Sequence, residues 1–317
     1  MKIVNAGFEV IDIANPLEKI ERVARVCYKS EDKITEGSAE KMVKALIKNN
    51  HTAMLEHSSF VVELTNRDYN WIVTYIKYLE QIEGIKVYLR YSFIDKFIIS
   101  GNIRAWREFL IACANSNLYI FTPLDRIFKC DKYRVFFKDI DYSVDEGSGY
   151  VIEVDPSELI PEEQLIHRDF TVVFTVDRGV SHELVRHRVA SFAQESTRYC
   201  NYGKSGDVSF IKPCYLEQDT PAFDNWVDDM MRAEKAYLRM LEEGFTPQEA
   251  RAVLPNSLKT EVAMTANLNE WRHFFKLRAV GVTGKPHPQM LEVAVPLLEH
   301  CKTMIPVVFD DLEVIEC

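Results

Sequence analysis

No apolar run in the sequence reaches the roughly 18 residues that a membrane-spanning helix needs, so transmembrane helices are not expected. The opening stretch, MKIVNAGFEVIDIANPLEKI, lacks the unbroken apolar core of a secretory signal. The seven cysteines are scattered and odd in number. Both absences point to a reduced, cytoplasmic protein without a disulfide framework. No CxxC pair is present, so no structural zinc is expected. Excess positive charge is missing too. Lysine and arginine number 38 against 48 acids, a net charge of -10, which implies no nucleic-acid-binding surface. No GxGxxG follows a strand pattern, which argues against a Rossmann nucleotide site, and no internal repeat is visible.

Two near-motifs also fall short. HELVRH resembles the zinc-protease HExxH, but His187 is five residues from His182, about 140° around a helix. Gly203-Lys204-Ser205 resembles the end of a phosphate loop, yet Arg198 stands where that loop needs glycine. No metal ligands are therefore assigned.

What is there is an ordinary globular composition, 47% hydrophobic and 27% charged over 317 residues, enough for a sizeable core. KIVNAGFEVID alternates like an edge strand, and PLEKIERVARVCYKS is amphipathic with Ile20, Val23, Ala24 and Cys27 at helical spacing. SAEKMVKALIKNNH reads as a helix capped by Ser38, and EHSSFVVEL as a strand. Residues from about 66 to 165 differ in character. They hold two aromatic helical stretches, YNWIVTYIKYLEQI and IRAWREFLIACA, and then a polar run, KDIDYSVDEGSGYVIEVDPSELIPEEQ, that reads as a loop. Beyond it, DFTVVFTVD is a strand and VSHELVRH a short helix. FDNWVDDMMRAEKAYLRMLEEG is a helix closed by Gly244, and TPQEARAVLP is another, stopped by Pro255. TEVAMTAN is a strand with Val262, Met264 and Ala266 on one face. LNEWRHFFKLR is a helix whose apolar stripe, Trp271, Phe274 and Phe275, continues into Arg278. HPQMLEVAVPLLEHCKTMIP is a last helix, kinked at Pro296.

The chemistry concentrates in RHRVASFAQESTRY, Arg186 to Tyr199, where three arginines have one acid, Glu195, among them. Basic residues at a helix C-terminus can simply complement its dipole. Ser196, Arg198 and Tyr199 extend the cluster past that explanation. Planar guanidinium forks and a hydroxyl suit an anionic, phosphorylated ligand.

Arg186-His187-Arg188, seven residues and then Ser196 resembles the RHR-x7-S signature of the flavin-dependent thymidylate synthases. His51 to His57, HTAMLEH, resembles that family's GHxSPxEH stretch. EARAVLP, Glu249 to Pro255, resembles its EARxVLP, and NLNEWRHF, Asn267 to Phe274, its NxREWRHF; Arg278 and His287-Pro288-Gln289 follow in order. The resemblance covers about 1–65 and 166–310. It implies a single catalytic domain over 1–317 with an insertion at about 66–165. The implied fold is α+β, with a mixed, largely antiparallel sheet packed with helices, and the implied assembly is a homotetramer whose subunits share active sites. The family converts dUMP to dTMP with FAD, NADPH and 5,10-methylenetetrahydrofolate.

Residue by residue, the resemblance assigns Arg186, His187, Arg188, Gln194, Asn267, Asn269, His273, His51 and His287 to the flavin. It assigns Glu183, Arg186, Gln194, Ser196, Thr197, Arg198, Arg251 and Arg278 to the nucleotide. Arg278 would face the uracil and favour ionisation at N3, and Ser196 would bind phosphate rather than act as a nucleophile, since no base is evident beside it. Pro213-Cys214 echoes the Pro-Cys dipeptide of the cysteine-dependent synthases, with nothing around it in support. Gln194, Asn269 and His273 stand where some members carry Glu, Arg and Asn, and Cys27 and Ala53 replace hydroxyl residues. Two alternatives stay open: a flavin-dependent methylase of another pyrimidine nucleotide such as UMP, and a non-catalytic nucleotide-binding relative.

Overall fold

A computed structural model describes residues 1–146, 149–204 and 207–314. Ser205 and the Gly147-Ser148 pair of the polar run lie outside the described residues. Among those described, the strands form two four-stranded sheets, both antiparallel throughout, and two parallel pairs. The expected α+β class holds, with two principal sheets rather than one.

The central sheet runs in the order Ser191–Gln194, Lys259–Asn267, Asp169–Asp177, Gly7–Ile11. The two middle strands are buried along most of their length because both of their faces are covered. Val172, Phe174, Val176, Val262 and Met264 pack against helices Leu268–Arg278 and Pro288–Met304. Val173, Ala193 and Ala263 pack on the other side, against Val23 and Val26 of helix Pro16–Val26. KIVNAGFEVID divides in two. Gly7–Ile11 is the expected edge strand, while Lys2–Val4 pairs with Ser209–Ile211 instead.

The second sheet, in the order Arg90–Phe93, Phe97–Asn102, Ser59–Leu64, Val151–Glu153, joins the segment after residue 66 to the N-terminal part. Phe60 stacks on Trp106 of helix Ile103–Asn115 at 4.9 Å between ring centroids. Ile20, Val43 and Leu46 of the first two helices share that core. The polar run is therefore no simple loop. It supplies the edge strand Val151–Glu153 and helix Pro161–His167, whose apolar positions are too few to announce them.

Ser38 is not a cap. Gly37, at φ 72°, stands before the helix, where a side chain would be strained, and Ser38 turns its hydroxyl to Glu21 at 2.8 Å. Pro296 does lie inside helix Pro288–Met304. Among the described residues no helix is long and apolar enough to cross a membrane.

Two buried histidines tie these layers together. His57 Nδ1 lies 2.7 Å from Thr265 Oγ1, whose oxygen is 2.7 Å from Thr171 Oγ1. His167 is bracketed by Ser92 and Ser100 hydroxyls at 2.9 and 2.7 Å. Burial pushes the pKa of His57 down to about 3 and that of His167 to about 4, with nearby Lys19 and Arg90 adding to the effect. Both fall below the unfolded value of about 6.5, so the unfolded chain binds more protons in between and stability falls as pH drops from about 6.5 toward 4. Unfolding at pH 5 should take up about two protons from this pair, measured as the slope of the urea-unfolding free energy against pH. A free energy that is flat between pH 7 and 5 contradicts this.

Candidate functional site

The strand Asp169–Asp177 runs directly into helix Arg178–Leu184, with the Asp177 side chain accepting from the Val180 N–H at 2.7 Å. That helix ends at Leu184, two residues before the arginines begin. Arg186 and Arg188 therefore leave a turn and are exposed, while His187 packs inward at 4% exposure. They lie just past the last helical turn, and among the described residues neither guanidinium hydrogen-bonds the helix's terminal carbonyls. The turn also separates His182, exposed, from His187, buried. Among the described residues no group of three His, Cys, Asp or Glu is placed to hold a metal.

The chain rejoins the sheet as Ser191–Gln194 and then bends at Glu195. The Glu195 carboxylate, 1% exposed, turns into the protein. It accepts from Tyr202 Oη at 2.8 Å and lies between Lys259 Nζ at 3.4 Å and Lys29 Nζ at 3.5 Å. Burial alone would lower the Lys259 pKa, but the Glu195 and Glu261 carboxylates outweigh it and the net shift is upward. The one acid of the stretch is thus taken by lysines. Among the described residues Arg186, Arg188, Arg198 and Arg251 enter no ion pair, and all four are exposed.

Past Glu195 the Ser196 N–H bonds to the Cys27 carbonyl at 3.0 Å. Thr197 Oγ1 accepts from Arg251 Nη1 at 2.8 Å, which joins EARAVLP to the central stretch. Arg198 stands 5.6 Å from the centre of the Tyr199 ring. The Ser196 hydroxyl accepts weakly from the Arg198 N–H at 3.4 Å, so its own hydrogen is left for an acceptor. Gln194 donates to Ser181 Oγ at 2.9 Å.

At the other end of the stretch, His187 Nε2 lies 3.1 Å from the Glu270 carbonyl and its ring 5.2 Å from that of His273. Burial, then His273 and Arg278, push its pKa down to about 4. It is neutral at pH 7, and since a carbonyl only accepts, Nε2 carries the hydrogen. Asn267 caps helix Leu268–Arg278 by accepting from the Glu270 N–H at 2.9 Å. Asn269 and His273 are exposed on that helix.

Arg278 ends the stripe of buried Leu268, Trp271, Phe274 and Phe275 and is not a free snorkelling cation. Its Nη1 pairs with Glu183 Oε2 at 3.2 Å, while its Nε is buried without a partner. A buried donor with no acceptor is costly unless a ligand supplies one.

Two cavities flank this assembly. One of about 370 Å³ is lined by Asn267, Glu270, Thr265, Ser191, Val189 and Glu56 among others. A second of about 260 Å³ is lined by Glu183, Asp177, Tyr215, His287 and Gln289. His287, expected with the flavin residues, thus stands beside Glu183. His51 is exposed; its backbone N–H donates to the Leu46 carbonyl at 2.8 Å, and among the described residues no hydrogen bond or ring contact joins it to the other expected site residues. Glu56 and Glu270 carry no role in the resemblance, although they lie within HTAMLEH and NLNEWRHF. Glu56 accepts from Ser191 Oγ at 2.7 Å, and Glu270 from the Val189 N–H at 3.2 Å. Burial, then Glu292, raise the Cys214 pKa, the wrong direction for a nucleophile.

The sequence profile described as thymidylate synthase complementing protein matches residues 9–70 and 162–307. A flavin-dependent thymidylate synthase of Pyrococcus abyssi is 32% identical over 142 residues, 44% of this chain and 56% of that protein. One of Geobacter sulfurreducens is 31% identical over 148 residues, 46% and 62%. The chain thus spans about half the length of the curated relatives it matches. Among solved structures, a UMP/dUMP methylase PolB from Streptomyces cacaoi aligns over 98% of this chain and 96% of its own, at 17% identity and a TM-score of 0.41. With its two matched segments carrying the arginine stretch, the Asn267 cap and Arg278, the chain belongs to the thymidylate synthase complementing protein family.

Proposed function

We propose that the protein is a flavin-dependent thymidylate synthase that methylates dUMP to dTMP with 5,10-methylenetetrahydrofolate and NADPH, using FAD. The observation that carries this reading is the set of unpaired arginines at the two ends of strand Ser191–Gln194, in a stretch whose one acid, Glu195, is spent on Lys29 and Lys259. Exposed guanidinium groups with no protein acid suit the pyrophosphate of a dinucleotide and the phosphate of a nucleotide.

Arg186, Arg188, Asn269 and His273, exposed around the neutral His187, would hold FAD, with Asn267 lining the adjoining cavity. When bound, FAD supplies hydride transfer. Ser196, Arg198 and the Thr197–Arg251 pair would hold the dUMP phosphate, with Gln194 and Glu183 nearby. Arg278, oriented by Glu183, would stabilise the negative charge that a pyrimidine gains as N3 loses its proton. Six of these residues, Arg186, Arg188, Arg198, Arg251, Asn269 and His273, are exposed on one chain, which supports completion of the site by other subunits of a homotetramer. The chain would act as one catalytic unit, the insertion sharing a core with the first two helices. The free cysteines among the described residues support a reducing, cytoplasmic setting.

The direct test supplies dUMP and UMP in parallel with both co-substrates and identifies the products. Formation of dTMP supports the reading, and no methylated product from dUMP contradicts it.

Two substitutions probe the assignments. Arg188→Ala should reduce the flavin that copurifies, read from its visible absorbance, and unchanged flavin content would remove Arg188 from the site. Arg278→Ala should lower turnover about 100-fold while FAD stays bound, by analogy with loss of one transition-state donor, and Arg278→Lys should lie between. Wild-type turnover and Michaelis constant for dUMP in Arg278→Ala would show that this arginine serves packing only.

A further inference from the structure

The part of the chain between the two family-matched segments, residues 71–161, builds one wall of the 370 Å³ cavity. Tyr88, Leu89, Arg90 and Asn102 face Val189 to Ser191 and Thr265 to Asn267 across it. Two of these residues are firmly held. Leu89 is buried against Gly101, where even a Cβ atom would come within 2.5 Å of Leu89 Cδ2. Arg90 grips Asp169 through two hydrogen bonds of 2.7 Å each, and Asp169 pairs in register with Asn267. The segment is thus fixed to the cap of the helix that carries His273 and Arg278.

Tyr88, beside these anchors, is 57% exposed, with Lys86 Nζ over its ring at 5.0 Å from the centre. The acids of the cavity are all committed. Glu56 accepts from Arg104 and Ser191, Asp169 from Arg90, and Glu270 from the Val189 N–H. With its carboxylates satisfied, the cavity is poorly suited to a metal ion or an amine and better suited to a flat, uncharged ring. An exposed aromatic on a rigid rim supplies what such a ring lacks there, a stacking partner at low conformational cost.

We infer that Tyr88 stacks on a heteroaromatic ring of a cofactor or co-substrate held in this cavity, which makes the insertion part of the site. The inference rests on the proposed flavin- and folate-dependent reading. The ring would belong to the flavin dinucleotide or to the pterin of the folate, and the two sources separate by experiment.

Wild type, Tyr88→Phe and Tyr88→Ala are compared in FAD affinity by equilibrium dialysis, in emission of the bound flavin, and in the Michaelis constant for methylenetetrahydrofolate at saturating FAD. Tyr88→Ala should lose about tenfold in one of these constants, in line with base–aromatic stacking, while Tyr88→Phe keeps it. Loss of FAD affinity with brighter bound-flavin emission assigns the ring to the flavin dinucleotide. Loss confined to the folate constant assigns it to the pterin. If both constants are unchanged in Tyr88→Ala, the inference fails while the proposed activity stands. If wild-type protein binds no flavin, that reading falls and the inference with it.

Discussion

The arrangement of the site depends on one buried carboxylate. Glu195 sits where the strand Ser191–Gln194 leaves the sheet, and its charge is removed from water. Such a group is tolerable only when fully paired; stripping a partner from a buried ion pair typically costs about 3–5 kcal/mol. Lys259 reaches it from the neighbouring strand, Lys29 from beyond helix Pro16–Val26, and Tyr202 from the chain that follows. Three separate segments are thereby drawn onto one oxygen pair, which fixes the bend that presents Ser196, Thr197 and Arg198. The same pairing removes the acid that would otherwise neutralise the arginines. Structural order and an unmet positive charge have a common origin here.

The rest of the molecule repeats that division. Carboxylates near the cavity are consumed by protein donors, Glu56 by Arg104 and Asp169 by Arg90, while Arg186, Arg188 and Arg198 are not paired. In a chain of net charge -10, so local an imbalance reflects the site and not the overall composition. Arg278 is intermediate, one edge held by Glu183 and its Nε still without an acceptor. The central sheet sets these distances. The Asn267 cap and the RHR turn lie toward one end of its strands, and the Ser196 to Arg198 bend lies past the other, so two anionic groups can be held apart.

Much of this was legible in the sequence because burial leaves periodic traces. DFTVVFTVD reads as a strand, and the Trp271, Phe274, Phe275 stripe as the apolar face of a helix. What depended on distant partners was not legible. Nothing in the stretch itself shows that Glu195 turns inward to Lys29 and Lys259, which arrive from elsewhere in the chain. Arg278 shows no sign in its own helix of the pair it makes with Glu183, 95 positions earlier. The end of the helix at Leu184, before RHR, followed no proline or glycine signal. The strand Val151–Glu153 hid in a polar run because only three residues of it pair. The motif resemblance carried the candidate site further than periodicity could, since it named residues without needing their contacts. It assigned no role to Glu56 or Glu270, whose partners only the fold reveals.

Unpaired arginines that form a phosphate site must distinguish dUMP from deoxyuridine, which differs only in the phosphate. Equilibrium binding to the FAD-loaded protein should favour dUMP by about 100-fold, the effect of two or so charge-assisted hydrogen bonds. Equal affinity for the two would mean that the arginines hold no phosphate.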